Sequence, residues 1–314
     1  LTVSIELTLL CNESCSYCYN IKQSSYLPNN IEKSTGNILS IIDNVLSEFV
    51  LHQITLTGGE PLLHKDITKI VKYILSKKTK VCVISNSTLV DEKLANEFAE
   101  LGVSYVQTTF LSSNSKIHDN IIGKGSFDRR VAGVKHLVKA GVPVGGAFIC
   151  TNANYDETEK TMNFMHDLGM NEHMVFMRFC PAGYSSGKLY SLMPSIQKVH
   201  HSLDQANRFG VMTNREINNK IPIPKCLINE SEYPKIKFVQ CGAGCDHGEC
   251  FIDYMGRVKL CGLLDDYLGN IFQVNLRKIL TSDKVNSFRE NIPDYCSNCF
   301  LRYECLGGCP ASAK

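Results

Sequence analysis

Six short runs rich in β-branched and aromatic residues recur through the first 180 positions: "VSIELTLL" (3–10), "HQITLTG" (52–58), "KVCVISN" (80–86), "VSYVQTTF" (103–110), "VPVGGAFICT" (142–151) and "HMVFMRF" (173–179). Stretches with apolar residues at helical spacing lie between them, near 32–48, 66–76, 91–100, 127–140 and 156–168. Three of these end at Gly102, Gly141 and Gly169, the residue type that most easily makes the left-handed turn stopping a helix. Strands alternating with helices imply right-handed βαβ crossovers and a parallel sheet. A closed eight-unit barrel needs about 250 residues, so six shorter units predict an α/β fold of the open, partial (β/α)6 TIM-like kind.

From 185 to 235 the pattern weakens. One helical stretch ("PSIQKVHHSLDQANRF") and a Pro-punctuated run ("IPIPKCLINESEYPKIK") read as a bridging region. It separates a barrel domain, 1–184, from a small Cys-rich domain, 236–314, in which eight of the fifteen cysteines fall between 241 and 309. No internal repeat or low-complexity tract is visible.

Parallel sheets of this kind bind ligands at the C-terminal ends of their strands. Five features are expected there: the cysteines of "LLCNESCSYCYN" (9–20), "TGGEP" (57–61), "SNST" (85–88), Thr109, and "RFCPAG" (178–183).

Composition narrows the possibilities. With 33 Lys+Arg against 31 Asp+Glu, a net charge of +2 offers no basic stripe for nucleic acid. There is neither an apolar run of membrane-spanning length nor a secretion signal, so no membrane partner and a cytoplasmic location are expected. The chain begins without Met, directly in "LTVSIELTLL", which leaves room for a preceding N-terminal segment such as a peptide-recognition domain. Fifteen cysteines in a reducing compartment remain thiols, and metal becomes the leading use for them.

Cys11, Cys15 and Cys18 form C-x3-C-x2-C. A closed zinc site takes four ligands, and no fourth Cys or His is nearby. An iron-sulfur cubane held by three thiolates leaves one iron open to a reacting ligand. On these residues the chain resembles the radical S-adenosylmethionine (SAM) superfamily, whose loop after the first strand has this spacing and an aromatic residue before the last Cys, here Tyr17. The resemblance implies that the open iron chelates SAM, which is cleaved reductively to a 5'-deoxyadenosyl radical that abstracts a substrate hydrogen. It also implies that Gly58, Gly59 and Glu60 meet the SAM amino group, and that Asn86 and Thr109 contact its polar groups. Ser87 replaces the usual Gly after that Asn, and Ile122 stands where many relatives carry Arg or Thr. His118 and Asp119 read as helix-start or loop-packing residues.

"CGAGCDHGECFIDYMGRVKLC" (241–261) and "CSNCFLRYECLGGC" (296–309) are compatible on spacing with zinc or with iron-sulfur ligation. They resemble the SPASM domain, an extension of radical SAM enzymes that holds up to two auxiliary 4Fe-4S clusters. The resemblance assigns Cys241, Cys250, Cys261 and Cys309 to the first, and Cys296, Cys299 and Cys305 to the second. The second cluster's fourth ligand stays open among Cys226, Cys245 and a residue beyond Lys314, with an open iron as the remaining alternative. Cys82 and Cys150 read as core thiols. Cys180, after the sixth strand, is a candidate hydrogen-atom donor to a substrate radical.

The resulting expectation is a radical SAM maturase acting on a precursor peptide by crosslinking, oxidation or epimerisation, supplied by a low-potential electron donor of flavodoxin or ferredoxin type. Alternatives are a small-molecule oxidase or epimerase acting on an aminocyclitol or sugar, a sulfatase-type formylglycine maturase, and a non-catalytic electron carrier or zinc module.

Overall fold

A computed structural model describes residues 1–20, 35–183, 187, 189–245 and 248–312. The six expected strands form as β1 (Thr2–Glu6), β2 (Gln53–Thr57), β3 (Lys80–Ile84), β4 (Tyr105–Thr109), β5 (Val144–Cys150) and β6 (Met174–Arg178). Each crossover carries a helix: α1 (Thr35–Glu48), α2 (Ile67–Ser76), α3 (Glu92–Leu101), α4 (Ser115–Ile122) with α5 (Ser126–Lys139), and α6 (Thr158–Asp167). The start of the first helix expected at 32 lies outside the described residues. Helix α4 is an addition to the sequence reading; Asn114 caps it by accepting from the Lys116 N–H, and Asp119 then accepts from the Gly125 and Phe127 N–H groups at the start of α5.

Strand alternation splits the sheet into two chemistries. Val3, Ile5, Ile54, Leu56, Val81 and Val83 enter a core shared with Ile38, Ile42, Ile70, Ile74 and Phe98 of the helices. Each such side chain contributes about 1.5–3 kcal/mol by leaving water. The other face is polar: Ser4 donates to Glu249 (3.0 Å), Gln53 to the Tyr105 hydroxyl (3.2 Å), and Gln107 pairs with His173 (2.9 Å).

The sheet runs past both expected boundaries. After the short helix α7 (Leu189–Leu192), residues 185–235 contribute α8 (Ile196–Thr213) and β7 (Ile217–Asn219), which pairs with β6 in parallel and leads to β8 (Ile236–Phe238). This stretch therefore continues the strand-helix-strand pattern, although its strands are too short for their periodicity to show in the sequence. On the other side, β9 (Glu249–Asp253) pairs in parallel with β1, and β10 (Arg257–Lys259) and β11 (Gly269–Asn270) follow antiparallel. The order β11-β10-β9-β1-β2-β3-β4-β5-β6-β7-β8 is linear, so the barrel stays open. Helices α9 (Leu276–Leu280), α10 (Asp283–Glu290) and α11 (Arg302–Cys305) complete the chain. Among the described residues no helix is long and apolar enough to cross a membrane.

Candidate active site

The loop after β1 carries Cys11, Cys15 and Cys18, and it is fastened to the ends of the next two strands. The Gly59 N–H donates to the Thr8 carbonyl (2.7 Å) and the Glu60 N–H to the Leu10 carbonyl (2.8 Å). A Cβ on Gly59 would stand 2.1 Å from the Leu10 carbonyl oxygen, so a glycine is required where the two loops meet. Asn20 donates to the Gly58 carbonyl (2.7 Å), and the Asn86 amide donates to the Asn12 side chain (2.8 Å). The glycines of "TGGEP" thus seat the cysteine loop, a role beside the cofactor contact expected of them.

Glu60 is buried and joins two strand ends. Its carboxylate accepts from the Ser85 hydroxyl (2.7 Å), the Asn86 N–H (2.8 Å) and the Leu62 N–H (3.1 Å). A carboxylate has about four acceptor sites, which leaves room for one further donor. Burial raises its pKa, and these hydrogen bonds oppose the rise. Ser87, in place of the usual Gly, keeps the left-handed conformation (φ 60°), held by its hydroxyl against Thr108 (2.5 Å) and by its N–H on the Ser85 hydroxyl (2.9 Å).

These ends enclose about 650 Å³ of space open to solvent, lined by Cys11, Cys15, Cys18, Tyr17, Glu60, Asn86 and Thr109 among others. Every residue expected to hold SAM or the first cluster is on this wall.

The wall also carries Arg130 and Glu13, which the sequence reading missed. Arg130 is buried on α5 and pairs with Glu13 from within the cysteine loop. It also donates to the Thr109 carbonyl. Its Nε makes no hydrogen bond, but it is buried behind the cavity wall, out of contact with the open space. Helical spacing was the available signal, because Ser126, Arg130, Gly133, Val134 and Leu137 share the buried face of α5. His118 packs between Phe110 and Phe127 (ring centroids 5.5 and 5.3 Å), which fits its packing role. Burial, and secondarily Arg130, lowers its pKa to about 3.

All fifteen cysteines are among the described residues, and none forms a disulfide. Cys82 and Cys150 are buried in strands, where burial raises both thiols to about 12. Cys180 does not line the cavity. Its thiol meets the Ser312 hydroxyl (3.1 Å) and Cys309, in an apolar cluster that also includes Cys241 and Cys261. The Cys180–Cys309 hydrogen bond raises the pKa of Cys180 and lowers that of Cys309. Cys250 is separated from this group. Glu249 and Phe251, its neighbours on β9, face Cys261 and Gly262. Alternation turns Cys250 into the main core with Ile252, and burial raises its thiol to about 12.

Cys245 turns its thiol to the Cys241 carbonyl (3.8 Å). Cys296, Cys299 and Cys305 sit together at the far end of the C-terminal region. Among the described residues, no three His, Cys, Asp or Glu side chains are grouped to hold a single metal ion. Tyr19 links the two regions: it lines the cavity, it feels the charges of Cys18 and Cys261, and a Cβ on Gly262 would lie 3.2 Å from its hydroxyl. Burial, then Glu6 and these cysteines, raises its pKa, so the phenol stays protonated.

Residues 5–165 match the radical SAM superfamily, and residues 241–300 match SPASM, an iron-sulfur cluster-binding domain. A probable GTP 3',8-cyclase of Methanocaldococcus jannaschii is 24% identical over 306 residues, 96% of this chain and 95% of that protein. An AdoMet-dependent heme synthase of Methanosarcina barkeri is 26% identical over 333 residues, 99% of this chain and 91% of that protein. Streptococcus suis SuiB bound to precursor peptide SuiA shares the fold with a TM-score of 0.76 at 16% identity, across 99% of this chain and 72% of SuiB.

Proposed function

The chain belongs to the radical SAM superfamily, and on that premise we propose that it is a maturase that modifies a precursor peptide. It is an iron-sulfur enzyme whose cofactors are SAM and 4Fe-4S clusters, with a SPASM domain for auxiliary clusters. When bound, cluster and SAM supply a 5'-deoxyadenosyl radical for hydrogen abstraction. The donor set suits them: three thiols outside any disulfide line a cavity together with the Glu60 carboxylate, which keeps room for one more donor.

In this reading Cys11, Cys15 and Cys18 hold the cluster, and Tyr17 packs beside them. The spare acceptor site of Glu60 takes the SAM ammonium, and Thr109 meets its polar groups, while the Arg130 guanidinium behind the wall supplies the positive charge that Ile122 could not. Asn86 keeps Asn12, and with it the cysteine loop, in position. The division at 184 and 235 separates radical generation from the auxiliary region, with α8 and β7 between them. Cys180 belongs with the auxiliary thiols, where its hydrogen bond supports Cys309.

The observation that carries the peptide reading is the whole-chain likeness in fold to a SPASM enzyme that binds a precursor peptide. A second reading, a small-molecule substrate, is supported by the names of the two sequence relatives. The test is isotopic: a fully deuterated synthetic candidate precursor peptide should transfer deuterium into 5'-deoxyadenosine. Transfer from a deuterated nucleotide or sugar, with none from the peptide, would select the second reading.

A further inference from the structure

The SPASM match begins at residue 241, and Cys226 lies before it. The chain nevertheless returns Cys226 to the last cysteines. It sits in a tight helical turn, Lys225–Leu227, that Pro224 introduces. Three contacts lock this turn onto the segment 304–308. The Lys225 N–H donates to the Cys305 sulfur (3.4 Å), and the Lys225 ammonium pairs with Glu304 (3.1 Å). Gly308 has no room for a side chain there, because a Cβ would lie 2.9 Å from the Pro224 ring. Cys226 therefore follows directly on the residue whose N–H already touches a thiol of the second auxiliary set.

The local geometry agrees with this placement. The Cys299 N–H donates to the Cys296 carbonyl (2.9 Å), and a Cβ on Gly307 would lie 3.7 Å from the Cys296 sulfur, so the last cysteines stand together beside the segment that holds the Cys226 turn. Other cysteines are engaged elsewhere: Cys245 turns to the Cys241 carbonyl, and Cys180 to Cys309 and Ser312. Cys226 is exposed, which is unusual for a cysteine that only packs. A cubane spreads four thiolates over four irons. Ligands around it stand wider than ligands around one ion.

We propose that Cys226 is the fourth thiolate of the second auxiliary cluster, supplied from the turn between β7 and β8 and completing the set Cys226, Cys296, Cys299 and Cys305. This rests on the reading of Cys296, Cys299 and Cys305 as iron-sulfur ligands. The arrangement ties the segment after α8 to the end of the chain, so loading this cluster fastens the two together.

The test compares Cys226→Ala and Cys299→Ala in the anaerobically reconstituted protein. Iron and sulfide analysis and electron paramagnetic resonance of the reduced clusters are the readouts. Cys226→Ala is expected either to lose about four iron per chain or to change the signal of one cluster, with the signals of the others intact. Cys299→Ala should affect that same cluster. In the wild type, alkylation with iodoacetamide followed by mass spectrometry should label Cys226 before reconstitution and spare it afterwards. Unchanged iron, unchanged spectra and undiminished labelling of Cys226, beside a clear loss in Cys299→Ala, would overturn the assignment. No effect in either variant would instead remove the cluster reading of the second set.

Discussion

The buried pair Arg130–Glu13 sets the chemistry of the cysteine loop at the scale of single residues. Removing one partner strands a charge in the interior, so Arg130→Leu should cost roughly 3–5 kcal/mol in chemical denaturation, and Arg130→Leu with Glu13→Leu should recover most of it. His118 gives a pH prediction. Its pKa falls from 6.5 in the unfolded chain to about 3 in the fold, chiefly through burial. The unfolded state thus binds more protons between those values, so stability is full above about 6.5 and declines as pH drops toward 3. Urea midpoints of the apoprotein at pH 7 and pH 5 should fall farther apart in the wild type than in His118→Gln. At this scale the gathering of Cys11, Cys15, Cys18, Glu60, Asn86 and Thr109 around one cavity was legible because spacing and strand ends mark them. Arg130 was not, because a cation on an apolar helix face looks like a solvated one until its carboxylate partner, 117 positions away, is known.

Loops at strand ends build the site at the scale of elements. Gly59 is the seat on which the cysteine loop rests, so Gly59→Ala should reduce total iron by about one cluster's worth of roughly four atoms while leaving the auxiliary signals in place. Iron analysis with electron paramagnetic resonance checks this. Strand parity governs the auxiliary region in the same way. Cys250 matched a motif by its number in the sequence, yet β9 pairs with β1 in a register that points Cys250 into the core. Cys250→Ala should therefore lower stability through the cavity it leaves, about 1 kcal/mol or somewhat more, without loss of iron. Motif spacing counts residues along the chain, whereas a ligand set depends on which face each strand presents. The same limit explains why Cys180 read as an active-rim thiol: it follows β6 at the expected height, but the segment 309–312 covers it.

At the scale of the whole molecule, one linear sheet joins radical generation to the auxiliary thiols. The alternation of strands and helices revealed the partial barrel, but three-residue strands such as β7 and β8 carry no readable period, and the parallel return of β9 onto β1 is a long-range pairing that no local signal announces. Because β9 covers that edge, a chain ending at residue 238 would expose β1 as an unpaired strand and should aggregate on size-exclusion chromatography. Tyr19 stands at this junction, between the cavity and Cys261. On the proposed function, SAM is cleaved at the rim lined by Cys11, Cys15 and Cys18. Anaerobically reconstituted protein given dithionite and SAM should release 5'-deoxyadenosine, and Cys15→Ala, with its auxiliary clusters intact, should release none. A wild-type protein carrying about twelve iron per chain and yet yielding no 5'-deoxyadenosine would contradict it.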